Sequence, residues 1–181
     1  MPHEILMPHE ITLERIKNLF ESAMIPFEDC KPNCTPKTHF HCLQDSFHAS
    51  VYVDPENKII SFVGVADIPI KNHQWSETHW KLLMILNHQF SGFRMIRMAD
   101  HILCDHEISC RLGVYGPSII DAFRLFCRSA NTALDFFHAI CVLRQGGNNT
   151  QFVHLPTDDI DQLMAMLIGN GSLPDDPEET D

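Results

Sequence analysis

The sequence lacks any long hydrophobic run and is poor in basic residues. No apolar stretch approaches the ~18 residues that a membrane-spanning helix needs, and the first residues lack the basic, apolar and small-residue order of a signal peptide. We therefore expect a cytoplasmic protein without a membrane segment. The 13 Lys and Arg residues form no cluster and are outnumbered by 24 Asp and Glu residues, for a formal net charge of -11. Because phosphate binding requires a basic surface, this balance disfavours a nucleic-acid partner.

Catalytic signatures are also missing. The chain contains no H-E-x-x-H, G-x-S-x-G, G-x-G-x-x-G or P-loop motif, so we predict no enzymatic activity, no catalytic residues and no cofactor. Its seven cysteines are an odd number, which argues against a disulfide framework and favours a reducing compartment. Four of them fall on apolar stripes where buried thiols are expected: Cys104, Cys110, Cys127 and Cys141.

The 181 residues are enough for one folded domain with tails. The pentapeptide MPHEI occurs twice at the start, and we expect a duplicated, flexible N-terminus over residues 1–11. Residues 12–146 are predicted to form the domain. We assign residues 147–170 to a linker and a short C-terminal helix, and residues 171–181 to an acidic disordered tail.

Hydrophobic periodicity predicts the order helix, three strands, helix, two strands and long helix. The strand predicted over residues 47–53 places Phe47 and Val51 on one face and His48, Ser50 and Tyr52 on the other. Runs of strands interrupted by single helices favour an antiparallel sheet. The sequence therefore predicts an α+β fold in which an antiparallel β-sheet carries helices packed on one face, in the order α-βββ-α-ββ-α.

This order, together with the passage ILNHQFSGFRMIRM over residues 85–98 and Asn87 near the end of the second helix, resembles the YbjN family of bacterial proteins. That family is similar in fold to type III secretion chaperones, and the resemblance covers roughly residues 12–145. It implies a small cytoplasmic regulatory protein with no family-wide catalytic residues. Chaperones of similar fold work as homodimers and bind extended segments of partner proteins.

A cluster of cysteines and histidines is the main candidate for chemistry. It comprises Cys30, Cys34, His39, His41 and Cys42. Two loop thiols and two imidazoles can satisfy tetrahedral zinc, and His39 and His41 would lie on one strand face, about 7 Å apart. The C-x3-C spacing matches no standard zinc finger, so the favoured interpretation is a loop with unligated thiols and no metal. The alternative is a metal sensor or a metal-dependent enzyme that uses Cys30, Cys34, His39 and His41.

A second cluster lies on the predicted hairpin over residues 93–112. His101, His106 and Glu107 occur there beside Asp100 and Asp105. A histidine beside carboxylates could serve as a general base or a pH switch. The favoured interpretation is a solvated hairpin face with His106 half-buried on the inner side.

The second helix is apolar around much of its circumference. Such a helix closes the core with one side and can bury the remainder against another subunit. The candidate surface for a dimer or a partner comprises Trp80, Met84, Asn87 and Phe90. We predict a non-enzymatic protein-binding or regulatory module, chaperone-like, which associates as a homodimer and binds a protein partner. A small-molecule sensor remains a further alternative and would require a closed apolar pocket between the sheet and the long helix.

Overall fold

A computed structural model describes residues 5–30, 39–44, 47–67, 75–90, 92–98 and 101–144. Within these ranges there are three α-helices, α1 (Leu13–Ser22), α2 (Glu77–Gln89) and α3 (Gly116–Arg144), and a single 3₁₀ turn over Pro8–Glu10. The strands of the same ranges are β1 (Ile5–Leu6), β2 (Phe27–Asp29), β3 (His39–Gln44), β4 (Phe47–Asp54), β5 (Ile59–Asp67), β6 (Arg94–Met98), β7 (His101–Ser109) and β8 (Val114–Tyr115). The linker, C-terminal helix and acidic tail predicted from residue 147 onward lie outside the described residues.

Six of the strands form one antiparallel sheet in the order β2-β3-β4-β5-β7-β6. The α+β prediction is therefore confirmed, as is the predicted order of the three helices and the five longer strands. The sheet buries one face against the helices because alternate side chains along each strand are apolar. The buried side chains of this inner face are Phe40, Cys42, Phe47, Ala49, Val51, Val53, Ile60, Phe62, Met95, Ile102 and Cys104.

Aromatic side chains connect the inner face of the sheet to two helices. Phe20 of α1 contacts Phe40 of β3 and Phe123 of α3, with ring centroids 5.1 and 4.8 Å apart. Phe123 also meets Phe62 of β5 at 5.2 Å, again edge to face. All four rings are fully buried, and edge-to-face pairs of this kind add to the free energy gained by burial alone.

The N-terminal segment differs from the flexible stretch that we predicted over residues 1–11. Ile5–Leu6 pairs with Val114–Tyr115 in a two-stranded antiparallel ladder. The Leu6 and Ile11 side chains are fully buried in the core. Residues 5–11 therefore belong to the folded body, since each backbone pair and each buried side chain opposes release of the segment.

The outer face of the six-stranded sheet, opposite the helices, is exposed within the described part of the chain. Its apolar side chains remain accessible, with Val65 57% and Ile96 42% exposed. The histidines His39 and His41 of β3 lie on this outer face, since their neighbour Phe40 points into the core. No helix among the described residues is both long and apolar enough to cross a membrane.

Candidate metal centre

The candidate centre lies at the β2 edge of the sheet, where a short strand meets β3. In the antiparallel register Glu28 pairs with His41 and Asp29 pairs with Phe40. Cys30, the next residue along, therefore stands beside His39. Because side chains alternate across a strand, His39 and His41 share the face that Cys30 reaches.

Three ligand atoms converge there. Cys30 Sγ lies 2.6 Å from His39 Nε2 and 3.5 Å from His41 Nε2. The potential ligand atoms of the three residues all lie within 4.8 Å of one another. The two imidazole rings are 5.2 Å apart and nearly perpendicular. The structure thus brings together three of the four residues proposed from the sequence, while Cys34 lies outside the described residues.

The separations can be compared with those of a tetrahedral zinc site. Zn–S and Zn–N bonds of about 2.3 and 2.05 Å at tetrahedral angles place sulfur and nitrogen ligands about 3.6 Å apart. The 3.5 Å between Cys30 Sγ and His41 Nε2 is close to that value. The 2.6 Å between Cys30 Sγ and His39 Nε2 is shorter and must increase by about 1 Å. Rotation of the Cys30 side chain can supply this increase. The arrangement therefore fits a zinc ion after a small adjustment.

The partner residues on β4 contact both histidines. His41 Nδ1 is 2.9 Å from Ser50 Oγ, and His41 and Ser50 are direct partners in the β3–β4 ladder. Tyr52 is the direct partner of His39, and its ring stacks on the imidazole at 4.5 Å and 21°. The sequence reasoning placed these two side chains on the polar face of β4 but assigned them no role. The register between β3 and β4 is the signal that identifies them.

A salt bridge holds β2 against the body of the protein. Lys17 Nζ of α1 lies 2.6 Å from Asp29 Oδ1, and the Lys17 side chain is only 15% exposed. This hydrogen-bonded carboxylate raises the pKa of Lys17 above its ordinary value. β2 is therefore anchored from the helix side through its last residue, Asp29, which directly precedes Cys30.

The remaining thiol of the sequence cluster faces away from the centre. Cys42 is 3% exposed and lies on the inner face of β3. Burial raises its pKa to about 12, so it stays protonated at neutral pH and cannot serve as a thiolate ligand without losing its core position. Its inclusion in the cluster is wrong because the strand alternation carries it to the opposite side.

The second sequence cluster is divided between the two faces of the sheet. His101 Nδ1 pairs with Asp67 Oδ1 at 2.9 Å on the exposed outer side. His106 points inward and stacks on Phe62 at 5.8 Å. Asp105 is buried and is held by the guanidinium of Arg94. The structure does not bring these groups to one place.

The four residues of the surface predicted on α2 lie in different environments. Trp80 and Met84 are 43% and 70% exposed, and Arg97 lies over the Trp80 ring at 5.3 Å. Asn87 instead hydrogen-bonds the backbone of Met95 twice, and Phe90 packs against the core. Asn87 and Phe90 therefore contribute to the fold, although Asn87 is also exposed and Phe90 is half-buried.

A cleft of about 280 Å³ lies between the sheet and α3. Phe47, Ile102 and Phe137 supply apolar walls, while Asp67 and Asp135 are among its polar lining residues. The lining therefore differs from the closed apolar pocket that we set as the requirement for a small-molecule sensor.

Comparison with solved structures adds a likeness in fold. No family model and no curated protein matches the chain. The chain is similar to the crystal structure of YbjN from E. coli, a candidate transcription regulator, with 14% sequence identity and a TM-score of 0.49. The match covers 66% of this chain and 91% of YbjN. A likeness at this level transfers no activity or residue role, so membership in the YbjN family stays a prediction.

Proposed function

We propose that the chain is a non-enzymatic regulatory module that binds one zinc ion through Cys30, His39 and His41. The observation that carries the proposal is the convergence of one sulfur and two imidazole nitrogens within 4.8 Å. Thiolate and imidazole donors suit zinc and other transition metals and are poor ligands for magnesium or calcium. With three protein ligands, a tetrahedral ion keeps one position for water or an external donor.

The bound ion would connect the two outermost strands at this edge. The strand Phe27–Asp29 has three residues and pairs only with β3 among the described strands. Few backbone hydrogen bonds hold it, so local opening of this edge requires little free energy. A zinc concentration 100-fold above the dissociation constant would stabilise the folded state by about 2.7 kcal/mol. Metal availability would thus control whether this edge stays closed.

Zinc titration of the chelator-treated, tag-free protein tests the proposal. We expect one equivalent of bound zinc and a rise in the midpoint of thermal unfolding. The C30S and H41N variants should lose both effects because each removes a ligand. The H48N variant is the matched control, since His48 is an exposed histidine on β4 outside the cluster. Binding of fewer than about 0.2 equivalents by the unmodified chain would contradict the proposal.

A second candidate function is self-association through α2. Trp80 and Met84 lie one helical turn apart and are both exposed. Aromatic and methionine side chains are favoured in the buried cores of dimer interfaces. Light scattering of the M84K variant tests this candidate. We expect a dimer for the unmodified chain and a monomer for M84K, and a strict monomer for the unmodified chain would remove the candidate.

A further inference from the structure

Each candidate ligand histidine on β3 faces its direct partner on β4. His39 stands opposite Tyr52, and His41 stands opposite Ser50. The four side chains therefore form two cross-strand pairs on the outer face of one hairpin. Of the two β4 residues, Ser50 contacts a ring nitrogen directly.

A neutral imidazole offers one lone pair, so the position of its proton decides which nitrogen can bind a metal. His41 Nδ1 lies 2.9 Å from Ser50 Oγ, and His41 Nε2 lies 3.5 Å from Cys30 Sγ. When Nδ1–H donates to the Ser50 hydroxyl oxygen, the Nε2 lone pair remains available on the side of Cys30. Of the two arrangements that the 2.9 Å contact allows, the one in which Nδ1–H donates to Ser50 Oγ is the one that leaves the Nε2 lone pair for a metal.

The same contact limits the rotation of an exposed ring. His41 is on the solvent side of the sheet edge, where an unrestrained imidazole would sample several orientations. Ordering such a side chain opposes binding through lost conformational entropy. A hydrogen bond from the nitrogen that does not bind metal fixes the ring before the metal arrives.

We infer that Ser50 is a positioning residue of the metal centre, which selects the Nδ1–H tautomer of His41 and directs Nε2 toward the ion. This inference rests on the proposed zinc function and adds to it a residue that lies outside the ligand set. In known metal sites, loss of such an outer hydrogen bond weakens metal binding by about 10- to 100-fold.

Cobalt titration of the chelator-treated full chain tests the inference. We expect the S50A variant to bind Co²⁺ 10- to 100-fold more weakly, whereas S50T keeps a hydroxyl oxygen and retains the affinity. The matched control is S61A, which removes a serine hydroxyl from the same outer face one strand further on, opposite Tyr52. We expect S61A to bind like the unmodified chain.

The tautomer is measured separately by long-range ¹H–¹⁵N correlation NMR of the metal-free protein. We expect His41 to carry its proton on Nδ1 in the unmodified chain and in S50T. In S50A the population should shift toward Nε2–H, which a merely structural role of Ser50 would not produce. Thermal unfolding of metal-free S50A reports whether the variant is folded.

The outcomes separate the inference from the function on which it rests. Equal Co²⁺ affinity of S50A and the unmodified chain would overturn the role of Ser50 and leave the metal centre intact. An unchanged His41 tautomer in S50A would overturn the tautomer selection. If the unmodified chain binds neither zinc nor cobalt, the proposed function and the inference both fail. If S50A does not fold, the His41 tautomer of the unmodified metal-free chain decides, because a proton on Nδ1 supports the selection and a proton on Nε2 overturns it.

Discussion

Asn87 offers a prediction that distinguishes a role within the fold from a role at an interface. Its side-chain Nδ2 donates to the Met95 carbonyl oxygen at 2.9 Å, and its Oδ1 accepts from the Met95 backbone N–H at 2.6 Å. Met95 lies on β6, an edge strand of the six-stranded sheet. The amide therefore pairs with this edge as a neighbouring strand would, and it joins α2 to the sheet.

The N87A variant removes both hydrogen bonds. A typical intramolecular hydrogen bond contributes about 0.5–1.5 kcal/mol, so the free energy of unfolding should fall by about 1–3 kcal/mol. For a domain of this size, that loss corresponds to a decrease of about 2–10 °C in the midpoint of thermal unfolding. Urea denaturation followed by circular dichroism measures the change. H88A is the matched control because His88 is exposed on the adjacent position.

The pH dependence of the stability of the N87D variant gives a second test of the role of Asn87. At neutral pH its carboxylate still accepts from the Met95 N–H but faces the carbonyl oxygen without a proton to donate. The folded-state pKa of this carboxyl should therefore be raised, and stability relative to the unmodified chain should increase as the pH falls through that pKa. Unchanged unfolding stability of N87A together with altered self-association would refute the role within the fold.

Three further predictions concern packing, thiols and metal affinity. A Cβ on Gly64 would lie 2.2 Å from Phe47 Cζ, so G64A should lower the free energy of unfolding by about 1–3 kcal/mol, measured by urea denaturation. The double variant F47L/G64A should recover part of this loss of stability. Additive effects of the two substitutions would contradict a clash between these side chains. Under native alkylation followed by mass spectrometry, Cys30 should react before Cys42, because burial raises the pKa of Cys42 to about 12; zinc should protect Cys30, and equal labelling would contradict this. Zinc affinity should fall as the pH is lowered, because protons compete with zinc for the imidazole nitrogens and the thiolate sulfur; a flat profile would contradict the ligand set.

The alternation of apolar residues was sufficient to predict the sheet and the common face of His39 and His41. A period of two residues is a local property, so the sequence carries it directly. The same rule explains why Cys42, one residue beyond His41, lies on the opposite side. The same alternation along β7 explains why His106 points inward and why His101 pairs with Asp67 on the solvated side.

The parts that could not be predicted depend on contacts distant in sequence. The strand Phe27–Asp29 is short and shows no clear alternation, so the position of Cys30 became apparent only through its pairing with β3. The roles of Ser50 and Tyr52 depend on the hairpin register. Asn87 lies on a helix with apolar residues around much of its circumference, and helical periodicity cannot show that an edge strand will accept its amide. Burial of Leu6 depends on pairing with β8, over 100 residues away.

Zinc-edge anomalous diffraction from crystals of the zinc-loaded full chain tests the central claim most directly. We predict one anomalous peak at about 2.3 Å from Cys30 Sγ and about 2.0–2.1 Å from the Nε2 atoms of His39 and His41. The Cys30 sulfur should be displaced from its short contact with His39 to accommodate the ion. A zinc peak on other residues, or no peak within bonding distance of these three, would contradict the proposed metal centre.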